Sequence, residues 1–118
     1  MNKEIFVFGS NRQGRHGAGA ALFAVSKYGA VYGQSSGRQG DSYAIITKEL
    51  RPDMPPVTLE EVQSGVTTFL KYAMEHPELT FMVTKIGCGL AGFRECDIMP
   101  MFESAPLNCK LPAAWNRV

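Results

Sequence analysis

Residues 84–93 read TKIGCGLAGF. They complete an apolar, β-rich run from Phe81 to Ile86 and then place three glycines, Gly87, Gly89 and Gly92, ahead of the next helical pattern. A strand that opens directly into a glycine loop is how an α/β sheet presents its carboxyl edge to a ligand. Glycine admits positive φ and lets the backbone come close, so successive N–H groups can converge on an anion. Turns use glycine as well, so the loop acquires its meaning from the elements around it.

Upstream, Thr58 and Glu61 have capping-box spacing, and Val62, Val66, Phe69, Leu70 and Ala73 form one apolar stripe. This predicts a helix that ends at His76-Pro77. Before it, Tyr43 to Thr47 reads as a strand, and so does Glu4 to Phe8, which stops at Gly9-Ser10-Asn11. From Gly17, Ala21, Leu22, Val25 and Tyr28 recur at helical steps until Gly29 supplies a stop. Ala30 to Tyr32 is expected to be a short strand, followed by a polar loop, GQSSGRQGD. Downstream, Asp97 to Phe102 allows one or two helical turns, and the tail through Leu107, Leu111 and Trp115 is expected to pack back. Strands alternating with helices argue for an α/β layered domain with a mixed, largely parallel sheet.

Composition narrows the function classes. A chain of 118 residues, 45% hydrophobic and 19% charged, is expected to fold as one domain spanning 1–118. Its net charge is +1 with scattered Lys and Arg, which argues against a broad nucleic-acid surface. The run after Met-Asn-Lys-Glu is too short for a signal peptide, and no stretch reaches the ~20 apolar residues of a membrane span. A cytoplasmic protein without a membrane partner is the expectation. Cys88, Cys96 and Cys109 are odd in number, lack CxxC pairing, and with His16 and His76 make a poor zinc set. Reduced thiols, no metal and no cofactor follow.

Two phosphate motifs are disfavoured. HGAGAAL has Gly17 and Gly19 at GxG spacing, but Leu22 occupies the third small position and Asp41 precedes its strand, which is wrong for a Rossmann dinucleotide site. A GxxxxGK[ST] sequence is absent.

FVFGSN with Asn11, RHGAGAAL and KIGCGLAGF stand in an order that resembles the macrodomain superfamily, which binds ADP-ribose. HGAGAALFAVSKYG, YAIITK and IGCGL look especially like the branch with terminal ADP-ribose protein glycohydrolase and the antitoxins that remove ADP-ribose from DNA. Compact phage and bacterial proteins share this layout. The resemblance implies a single compact three-layer α/β/α domain that takes ADP-ribose or an ADP-ribosylated protein or nucleic acid. By that resemblance Asn11 hydrogen-bonds the distal ribose, Ser10 beside it is a ligand-binding residue, and Gly17, Ala18 and Gly19 lie beside the diphosphate at a helix start. Gly87, Cys88, Gly89, Leu90, Ala91 and Gly92 would wrap its other side, with Phe93 as an apolar wall.

The same resemblance makes Lys48, in YAIITK, the nucleophile toward the anomeric carbon, a role that needs a partly desolvated amine. Where the glycohydrolase carries an aspartate after GCGL, this chain has Ala91, so the carboxylate for acid–base steps must come from Asp41, Glu95 or Asp97, or be lacking. His16 is an alternative acid or base, for example in removing a terminal phosphate from ADP-ribose. Cys88 reads as packing, not as a nucleophile. Three readings stay open: an ADP-ribose-binding module, an ADP-ribosyl hydrolase, and a binder of another NAD-derived nucleotide or an interaction domain without a ligand.

Overall fold

β1 (Lys3–Asn11) runs through the middle of a five-stranded sheet in the computed structural model, which describes residues 3–89 and 91–115. On one side it pairs in parallel with β3 (Ser42–Lys48), which in turn pairs antiparallel with β2 (Gly37–Gln39). On the other side it pairs in parallel with β4 (Leu79–Val83), beyond which lies β5 (Cys109–Lys110), also parallel. The order β2-β3-β1-β4-β5 makes the sheet mixed and mostly parallel.

Side-chain alternation along the strands builds two cores. Ile5 and Val7 of β1, Tyr43 and Ile45 of β3, and Phe81 and Val83 of β4 join the main core, while Phe8 and Ala44 belong to a smaller one. Helix α2 (Leu59–Glu75) covers the first with Val62, Val66, Phe69 and Ala73, the stripe read from the sequence. Its capping box is formed: Thr58 Oγ1 accepts from the Glu61 N–H at 3.2 Å, and Glu61 Oε1 accepts from the Thr58 N–H at 3.2 Å. Such a cap stabilises a helix by about 1 kcal/mol, and each large apolar side chain buried on its face adds about 1.5–3 kcal/mol.

Helix α1 (Gly19–Tyr28) covers the opposite face, giving three layers. It buries Ala21 and Ala24, while Leu22 and Phe23 stay nearly half exposed, so the expected core role of Leu22 is corrected. Small side chains let this helix lie close to β1, and Gly29, at φ 71°, closes it in the left-handed conformation.

Three further expectations change. Ala30 to Tyr32 is not a strand; its last residue enters a turn at Tyr32-Gly33. The polar loop contains β2, which shows no apolar pattern. In the tail, Trp115 is buried and Leu111 packs against the main core, but Leu107 is 94% exposed. Asp97 to Phe102 is helical, as α3 (Glu95–Ile98) and a 3-10 turn, Met99–Phe102. All three cysteines are free thiols. Among the described residues no helix is long and apolar enough to cross a membrane.

Candidate functional site

The chain leaves β1 through α1 on one face to reach β3, then returns through α2 on the other face to β4, on the far side of β1. The carboxyl ends of β1, β3 and β4 therefore flank the point where winding reverses, which is where open α/β sheets form a crevice. A cavity of about 670 Å³ opens there, within the usual range for small-molecule sites. Gly9, Thr47 and Thr84 line it where the strands end. A Cβ on Gly9 would stand 3.1 Å from Thr47 Oγ1 and 3.3 Å from the Gly87 nitrogen, so the glycine allows the loop after β4 to sit against β1.

The β1–α1 loop forms one wall. Asn11 ties it together through its amide: Oδ1 accepts from the Arg15 N–H and Nδ2 donates to the Arg15 carbonyl, both at 2.8 Å. Beyond it, α1 begins at Gly19 after an extended Ala18 that supplies no side-chain cap, and the first turn carries no acidic residue. Gly17, Ala18, Gly19, Ala20 and Ala21 all line the cavity. Helix-start N–H groups without a capping side chain carry a partial positive charge and accept an anion. Opposite them, Gly87, Gly89 and Ala91 line the cavity from the glycine loop. Gly87 lies at φ 73° and its carbonyl accepts from the Phe93 N–H at 2.8 Å.

Lys48 enters from β3 through an irregularity. Ser10 pairs with Ile46 but Asn11 pairs with Lys48, so Thr47 is an extra residue that shifts the register where the strand meets the cavity. Bulges of this kind re-aim side chains beside functional sites. Lys48 lines the cavity with Arg15 and Lys85, and among the described lining residues there is no Asp or Glu. Each carboxylate considered as a substitute already has a cationic partner and is not among the described lining residues. Asp41 pairs with Lys3 at 3.1 Å and Asp97 with Arg94 at 3.1 Å. Glu95 accepts from Trp115 Nε1 at 3.0 Å and lies 3.4 Å from Lys85 Nζ; the Trp115 bond, then Lys85, holds its carboxyl below the usual range.

Four expected site residues lie outside the lining. His16 is 1% exposed, with Nε2 donating to the Gln34 carbonyl at 3.0 Å and Nδ1 buried with no hydrogen-bond partner among the described residues. Cys88 packs on the main core, and burial, then Glu95, pushes its thiol pKa up. Phe93 also packs on that core and supports Gly87 from beneath, and Gly92 closes a turn by donating to the Gly89 carbonyl at 3.0 Å. Leu90 lies outside the described residues. Ser10, Asn11, Gly17, Ala18, Gly19, Lys48, Gly87, Gly89 and Ala91 are brought together. Arg15, Tyr32, Leu50 and Lys85 join them unforeseen; Lys85, inside the quoted stretch and next to the glycines, was the one with a readable signal.

No family model and no curated protein matches the chain. Two solved structures from Bacteroides thetaiotaomicron share its fold, with TM-scores of 0.65 and 0.64 and 16% identity in each case. Each covers 94% of this chain, and this chain covers 87% and 89% of theirs; the first is described as a protein of unknown function.

Proposed function

We propose that the cavity binds ADP-ribose, free or as the ADP-ribosyl group of a modified protein or nucleic acid, as a macrodomain does. One observation carries the reading: the uncapped start of α1 and the Gly87–Gly89 loop line a single cavity whose described charged residues are Arg15, Lys48 and Lys85, all cationic. A helix start without a side-chain cap, a glycine loop in the same lining and surrounding positive charge suit a diphosphate. The sequence resemblance supplies the sugar and the base. Calorimetric titration with ADP-ribose, and in parallel with ADP, AMP and NAD, tests it: selective binding of ADP-ribose supports the reading, and binding of none of the four overturns it.

A second reading, hydrolysis of the ADP-ribosyl bond, draws on Lys48 at the β3 irregularity. Against it stands Ala91 where the resemblance calls for an aspartate, in a lining without a described carboxylate. Turnover of an ADP-ribosylated substrate, lost in Lys48→Ala with binding retained, would establish it. Absence of turnover in the parent protein would leave a binding module. Phosphate removal by His16 has no supporting observation: the imidazole is 1% exposed and is not among the described lining residues.

A further inference from the structure

NAD contains the whole of ADP-ribose and adds one group, a nicotinamide pyridinium on the anomeric carbon of the distal ribose. A cavity that takes ADP-ribose can offer NAD the same contacts, so either shape or charge beside that carbon has to separate the two. The charges around Asn11 point to the second.

Asn11, the residue to which the resemblance gives the distal ribose, has two cationic neighbours. Lys48 is its strand partner across the β1–β3 irregularity, and the Arg12 N–H donates to the Lys48 carbonyl at 3.0 Å, which ties the two backbones together. Arg15 is held by the Asn11 amide itself, through its own N–H and its own carbonyl. Both residues line the cavity, as does Lys85, and no Asp or Glu is among the described lining residues. Tyr32 is the one aromatic in that described lining, and it is exposed; such a ring attracts a cation by only about two- to fivefold in affinity.

A diphosphate gains from each of these charges. A pyridinium on the anomeric carbon loses, because like charges brought together repel, and a repulsive element set against one ligand is a source of specificity.

We infer that Lys48 and Arg15 are specificity-determining residues that reject a cationic group on the anomeric carbon, so that the cavity refuses NAD by charge and not by shape. The inference rests on the ADP-ribose reading and adds the class of anomeric substituent that the site accepts, neutral or anionic.

NADH separates charge from shape: it has the size of NAD, and its dihydronicotinamide is neutral. The parent protein, Lys48→Met and Arg15→Met are titrated with ADP-ribose, NADH and NAD at low and at high salt. In the parent at low salt NADH is expected to bind at least roughly tenfold more tightly than NAD. Arg15 is exposed and Lys48 half-buried, so high salt should narrow that gap at least about threefold, and so should each substitution. The NADH-to-NAD ratio cancels whatever either residue gives the shared diphosphate, and the salt series on the parent stands even if a variant fails to fold. Equal affinities for NADH and NAD overturn the inference, as does a gap indifferent to salt or unchanged in both folded variants. Binding of ADP-ribose with neither dinucleotide bound overturns it too, because shape then does the excluding. Each of these results spares the ADP-ribose reading; a parent protein that binds none of the three ligands refutes that reading and the inference with it.

Discussion

Arg12 Nη1 donates to Glu49 Oε1 at 2.9 Å, and the same guanidinium reaches Glu61 Oε2 through Nη2 at 2.6 Å. The Glu49 side chain is only 3% exposed. One arginine thus joins the exits of β1 and β3 to the start of α2 and steadies the residue that follows Lys48. The Arg51 N–H, then Arg12, holds the Glu49 carboxyl below its usual range; Arg12, then the Thr58 N–H, does the same for Glu61.

A carboxylate whose folded pKa is depressed contributes stability above its unfolded value, about 4.3, and that contribution is lost as pH falls through the lower folded value. The melting temperature of the parent protein is therefore expected to drop as pH falls below about 4.3. Arg12→Met should melt lower at pH 7 and show a shallower acid dependence. Melts from pH 7 to pH 3 check this, and equal acid slopes in the two proteins would remove Arg12 as the cause.

Two glycines of the same loop should respond oppositely. Gly87 has positive φ, and a Cβ there would meet Phe93 Cδ2 at 3.1 Å, so Gly87→Ala should destabilise the fold by about 1–2 kcal/mol. Gly89 has ordinary φ, and no atom of the described residues lies within 4 Å of an added Cβ. Gly89→Val should melt within a few degrees of the parent and still bind ADP-ribose at least tenfold more weakly, because the added side chain stands at the cavity lining. Unchanged affinity there would count against a diphosphate between the two walls.

Lys85 lines the cavity while paired with Glu95. Glu95→Gln removes the competing charge and keeps an amide oxygen for Trp115. Affinity for ADP-ribose at low salt is expected to rise by roughly twofold, as the worth of an exposed ion pair allows, and the gain should vanish in high salt. A fall in affinity would show that Lys85 does not face the ligand.

His16→Ala should cost about 2 kcal/mol, from lost packing on Phe8 and a lost hydrogen bond to the Gln34 carbonyl. For a chain of this size that is roughly 6–10 °C in melting temperature. Faster hydrogen exchange at the Gly33 amide, which donates to Gly14, would distinguish loosening of this turn from general destabilisation.

Thiol labelling offers a check on burial. Cys96 is exposed and should react fast; Cys88, partly covered and with its thiol pKa raised, should react slowly; Cys109 should react only on unfolding. Fast labelling of Cys88 would mean that its side chain leaves the core.

Where local and tertiary signals agree, the sequence was readable. In α2 the Thr58–Glu61 box and the Val62–Ala73 stripe specify the same element, and the structure contains it. In α1 they diverge: hydropathy favours Leu22, but close approach to β1 favours the alanines. β2 has no apolar alternation, because Gln39 holds its surroundings by hydrogen bonds to Val31 and Gln34. The glycine walls were legible, since positive φ at Gly19 and Gly87 demands glycine. Arg15, Tyr32 and Leu50 were not, because only the sheet order, with β1 between β3 and β4, brings their loops to one opening.

That sheet order also sets a timetable for synthesis. Thr84, just past β4, donates to the carbonyl of Val7 across 77 positions of sequence. At roughly 5–20 residues per second, a ribosome needs roughly 4–15 s to make that span. β3 emerges first and can occupy one edge of β1, but the other edge of this apolar strand waits for β4. Throughout that interval the nascent chain carries an open strand able to pair with a neighbour, so release short of residue 83 yields an aggregating fragment, not a smaller domain.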